Sequence, residues 1–103
     1  MNTEQGSNNV FFDLGFDKNT AASLRLRAEM MIQIQRIIKE KGLLQKEAAE
    51  LFNVSQPRIS DLVNRKIEKF SLEKLVAMLA KVNVSVNVKF EQTVVTEKTA
   101  VSA

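Results

Sequence analysis

Gln56, Arg58, Ser60, Asp61 and Asn64 fall close together in the chain, and each carries a hydrogen-bonding side chain. Between them stand Ile59, Leu62 and Val63, at spacing i, i+3 and i+4. That spacing puts the three apolar residues on one face of a helix and leaves the polar ones outward. Such a row can do a definite chemistry. A glutamine makes paired hydrogen bonds to adenine, an arginine to guanine or a phosphate, and an aspartate accepts from cytosine N4. The pattern therefore predicts a helix whose outer face suits the major groove of DNA.

A helix of this kind needs a partner that sets its angle. Residues 45–64, QKEAAELFNVSQPRISDLVN, supply one. They read as a short helix, a tight turn and a second helix beginning at Ser55, with Ala48, Ala49, Leu51, Val54, Ile59, Leu62 and Val63 at the crossing. Ala49 is small where the helices come closest. Asn53 sits in the turn and tolerates left-handed backbone next best after glycine. Ser55 can cap the second helix, and Pro57 lies in its first turn, where a missing N–H costs little. Gln45 and Lys46 open the first helix, where Gln45 and the positive helix end can hold a phosphate together. Asn64, Arg65 and Lys66 follow the groove helix and suit the sugar-phosphate backbone. The candidate contact set is thus Gln45, Lys46, Ser55, Gln56, Pro57, Arg58, Ser60, Asp61, Asn64, Arg65 and Lys66.

What the chain lacks narrows the alternatives. It has no histidine, cysteine, tryptophan or tyrosine, so the usual general base and thiolate metal sites are missing. Gly6, Gly15 and Gly42 are scattered and form no phosphate-cradling loop. An enzyme is not expected, and neither is a cofactor or a metal. The net charge of +3 is uneven: residues 1–20 hold three acids and one base, residues 21–41 five bases and two acids. Arg58, Arg65, Lys66 and Lys69 then cluster around the proposed groove helix, against Asp61 and Glu68.

With 103 residues and 45% hydrophobic content, the chain predicts one domain with a core of its own. No apolar run approaches bilayer length, and residues 1–10 lack the basic and apolar regions of a secretory signal. With no cysteine, this fits a cytoplasmic protein. Residues 1–19 read as a flexible N-terminus with an apolar arm at 10–16. A long helix follows, capped by Thr20, with Leu24, Ala28, Met31, Ile34 and Ile38 as its stripe and Gly42 past its end. After the linker 65–70, Ser71 caps a helix with Leu72, Leu75, Val76, Met78 and Leu79 inward. Val82, Val84, Val86, Val88 and Phe90 alternate with polar residues, which predicts a strand over 82–91. Residues 92–103 read as a disordered tail. A lone strand needs a partner: the 10–16 arm, or the same strand of a second subunit. A dimer would also place two groove helices about 34 Å apart, one DNA turn.

The segment QKEAAELFNVSQPRISDLVNRK resembles the helix-turn-helix of the lambda-repressor/Cro (Xre) family. NVFFDLGF, SQPRISDL and KFSLEKLVAML are similar to small antitoxins of the HigA type within it. The resemblance implies a mainly α fold, a lambda-repressor-like bundle of about five helices over residues 20–81. It implies a dimer on operator DNA, with Gln45 as the phosphate-clamping glutamine. Gln56, Pro57 and Asp61 would face the bases, with Arg58 beside them. For an antitoxin it also implies repression of its own promoter and neutralisation of an mRNA-cleaving toxin. The chain departs from the family at Leu44, usually a threonine or serine cap, and at Pro57, often a base-reading side chain. The competing readings are a stand-alone phage-type or chromosomal repressor, and a helical protein-interaction module without DNA binding. RNA binding finds no stacking platform among the phenylalanines.

Overall fold

The computed structural model describes residues 18–92. Helix α1 spans Lys18–Lys41, α2 Gln45–Phe52, α3 Gln56–Val63 and α4 Leu72–Ala80, with a 3₁₀ turn at Ile67–Lys69 between α3 and α4. Among the described residues there are four α-helices and one 3₁₀ turn, where about five helices were expected. None of the helices is long and apolar enough to cross a membrane.

All four helices stop the same way. At or just past the end of each helix one residue has left-handed backbone: Gly42 at φ 63°, Asn53 at 58°, Arg65 at 59° and Asn83 at 62°. In each case the next N–H reaches back five residues: Leu43 to Ile38, Val54 to Ala49, Lys66 to Asp61 and Val84 to Leu79, at 3.0 Å each. Together with the bond each left-handed residue's own N–H makes three residues back, to Lys39, Glu50, Leu62 and Ala80 in turn, this bond satisfies carbonyls that a helix end leaves open. In α1, α2 and α4 both residues of the pair are apolar, and Leu43, Val54 and Val84 pack onto the core. In α3 the pair is Lys66 and Asp61, which are charged.

The core is one cluster. Ile34 from α1, Ala48 and Phe52 from α2, Ile59 and Leu62 from α3, and Leu75, Met78 and Leu79 from α4 are buried. Phe70, just after the 3₁₀ turn, is buried with them. Side chains of this size contribute roughly 1.5–3 kcal/mol each when fully buried. Helix α1 packs on α4 and braces the α2–α3 pair. Gln35 of α1 adds a directed contact, donating from Nε2 to the Leu62 carbonyl at 2.8 Å. This bond ties the long helix to the end of α3.

Several expectations need correction. Thr20 lies inside α1 and does not begin it. Val63 and Val76 are 42% and 40% exposed, because helical phase carries each past the edge of the buried stripe. Ala21, Met30, Phe52 and Phe70 are core residues that the apolar spacing did not single out. The strand over 82–91 does not form among the described residues. Lys81–Asn83 is a turn that closes α4, and the segment after it joins no ladder. The alternation is real in another sense: Val82, Val84 and Val86 are half-buried against the core while Asn83, Ser85 and Asn87 are exposed. One-sided burial yields alternation without a partner strand; a ladder also needs a free edge to pair with. The arm at 10–16 and the tail beyond residue 92 lie outside the described residues.

Candidate nucleic-acid interface

The turn between α2 and α3 takes its shape from three residues. Asn53, at φ 58° and ψ 49°, reverses the chain. Ser55 precedes α3 in extended backbone, and its Oγ accepts from the Arg58 N–H at 3.3 Å. Pro57 occupies the first turn of α3. The departure at Leu44 is partly compensated. Leucine offers no acceptor, yet the Glu47 carboxylate accepts from the Leu44 N–H at 2.8 Å. The start of α2 therefore keeps the reciprocal half of a capping box.

Ile59 and Leu62 are fully buried and hold α3 to the body of the protein. On its outer side Gln56, Pro57 and Asn64 are exposed and Ser60 is half-buried. Asn64 Nδ2 donates to Ser60 Oγ at 3.5 Å, one turn earlier. Val63 borders this row and adds an apolar patch. Gln45 and Lys46 are exposed at the start of α2, Arg65 and Lys66 just past the end of α3.

Arg58 and Asp61 differ from the rest. They sit on the flank of α3 and are half-buried. Arg58 Nη1 donates to Asp61 Oδ2 at 3.1 Å. The guanidinium also lies over the Phe70 ring, 5.8 Å from its centroid, which suits a cation–π contact. Lys66 Nζ approaches Asp61 Oδ1 at 4.0 Å. Asp61 is thus an internal partner for two cations, and Arg58 is turned toward the side of the domain.

The structure so divides the predicted residues. Gln56, Pro57, Ser60 and Asn64 share the outer face of α3. Gln45 and Lys46 lie at one border of the motif, Arg65 and Lys66 at another. Ser55 spends its hydroxyl on capping. Two contributors were not foreseen. Gln35 fixes the end of α3, and its only sequence signal was a polar residue in line with Met31 and Ile38 on an apolar stripe. Phe70 supports Arg58 from a stretch with no periodicity to mark it.

Two short helices crossed over buried alanines, a left-handed turn, a capped second helix and a polar outer row define a helix-turn-helix of the DNA-binding regulator class. A family model described as a helix-turn-helix domain matches residues 10–91. With most of its length matched, the chain belongs to that family. No curated protein matches it.

Proposed function

We propose that this chain is a sequence-specific transcriptional repressor and the antitoxin of a type II toxin-antitoxin pair. The observation that carries the DNA reading is α3 itself. Ile59 and Leu62 are fully buried, and the Gln56, Ser60 and Asn64 row is left facing outward. In this reading α3 enters the major groove. Gln56 makes the paired hydrogen bonds to a base, and Pro57 and Val63 offer apolar contact to thymine methyls. Gln45 at the start of α2 and Arg65 and Lys66 after α3 hold the flanking phosphates. Two copies bind together on a palindromic site, as helix-turn-helix repressors do. The protein is cytoplasmic, uses no cofactor and catalyses nothing.

The antitoxin part rests on the resemblance of SQPRISDL and KFSLEKLVAML to HigA-type chains. Val88 and Phe90, 57% and 90% exposed beyond the four-helix unit, are candidates for partner contact.

The test is a gel shift and footprint of the protein on the DNA upstream of its own gene, with and without the product of the neighbouring gene. A protected palindrome that lengthens or tightens with that product supports the full reading. Protection indifferent to any neighbour points to a stand-alone repressor. No discrimination between that DNA and random duplex counts against both.

A further inference from the structure

Beside the recognition helix lies a cleft of about 510 Å³ that the base-reading row does not use. Its lining brings together Arg27 of α1, Arg58 of α3, Lys69 of the 3₁₀ turn and Lys74 of α4. Glu68 is the single carboxylate among the lining residues. Four cations from four elements face one opening.

Their pairing is incomplete. Arg58 has Asp61. Arg27 meets neutral acceptors: Nη1 donates to the Phe70 carbonyl at 3.5 Å and Nη2 to Ser23 Oγ at 3.2 Å. Neither Lys69 nor Lys74 has an ion pair among the described residues. Four cations gathered with fewer counter-charges repel one another, and an anion among them relieves the repulsion. The cleft also receives the start of α4. Ser71 caps that helix by accepting from the Lys74 N–H at 3.1 Å. The N–H groups of Leu72 and Glu73 have no acceptor within the helix, as in any first turn.

We propose that this cleft is a phosphate-binding site, with Arg27, Lys69 and Lys74 as its principal ligands and Arg58 as its border with the DNA face. The phosphate comes either from the DNA backbone beside the half-site or from a small phosphorylated ligand. The first source rests on the DNA reading above; the second does not.

The test uses the full chain and a Lys69→Gln/Lys74→Gln double variant, both exposed positions, with folding checked by circular dichroism. One arm titrates inorganic pyrophosphate at constant ionic strength and follows amide NMR signals. The other measures duplex DNA binding against salt. A backbone phosphate in the cleft predicts a salt slope smaller by about 0.9 in the variant, the value for one neutralised phosphate. A free ligand predicts saturable shifts of the Ser71–Lys74 amides that weaken tenfold or more in the variant, with the DNA slope unchanged. An unchanged slope together with weak, non-saturating pyrophosphate shifts overturns the proposal. If the wild type binds no DNA at all, the DNA reading fails and the pyrophosphate arm still decides the cleft.

Discussion

Arg58 Nη1 stands 3.1 Å from Asp61 Oδ2, one helical turn further along α3, and the same guanidinium lies over Phe70. An arginine near the start of a recognition helix is an obvious guanine reader. Here it is held on the flank, and the acid that holds it also draws in Lys66. In the proposed DNA complex Asp61 would act through these two cations as well as through its own charge.

Asp61→Asn keeps the shape and removes the charge. Both partners are partly exposed, so the pair contributes no more than about 1 kcal/mol to stability. The variant should unfold in urea within that margin of the wild type. Its affinity for all duplexes should rise, because Arg58 and Lys66 gain freedom and an acid leaves the DNA face. Selection from a randomised duplex pool should show new guanine preference if Arg58 reaches a base. Weaker binding to random DNA would show that Asp61 contributes through a contact of its own.

Gln56 and Lys66 should separate reading from gripping. Gln56→Ala removes a side chain on the outer row of α3 and should cost roughly 1–3 kcal/mol on the preferred site, and little elsewhere. Lys66→Ala should weaken binding to every sequence alike and reduce the salt slope by about one unit. Competition binding with specific and random duplexes measures both. A uniform loss in the glutamine variant would take Gln56 out of the base-reading set.

Some of this was legible because certain residue types announce their backbone. Gly42 and Asn53 mark left-handed helix ends, Ser55 and Ser71 mark caps, and all four stand where the sequence places them. Arg65 has the same backbone without the signal, since arginine has no left-handed preference. Phe70 was hidden for another reason: a lone aromatic in a short linker has no period to reveal its burial. The Val82–Val86 part of the alternation reports one-sided burial, which period two does not distinguish from pairing, and the burial ends before Val88 and Phe90. The flank position of Arg58 follows from Asp61 and Phe70 together, a long-range arrangement that no local pattern contains.

Arg65 offers a trade between stability and binding. Its φ of 59° costs a side-chain-bearing residue on the order of 1 kcal/mol. Glycine has no such penalty, as at Gly42, so Arg65→Gly should stabilise the fold by about 0.5–1 kcal/mol. The same change removes an exposed cation beside α3. Thermal unfolding should shift upward while DNA affinity falls for all sequences and the salt slope decreases. Higher stability with unchanged DNA binding would remove Arg65 from the interface.

Gln35 connects the core to the recognition helix. The Leu62 carbonyl accepts from the Arg65 N–H at 3.0 Å and from Gln35 Nε2 at 2.8 Å, so both of its lone pairs are used. Gln35→Leu removes the second bond but not the first, so the cost should be near that of one hydrogen bond, about 1 kcal/mol. Leu62→Ala gives the reference for the same spot. It opens a cavity at a fully buried position and should cost roughly 2–5 kcal/mol. The two variants should differ in function as well. Conditions that keep the Gln35→Leu protein folded should still show poorer sequence discrimination, because the C-terminal end of α3 has lost a fixed anchor. Urea titration and competition binding on the same samples measure the two effects. Full discrimination in the folded variant would mean that Ile59 and Leu62 alone set the position of α3.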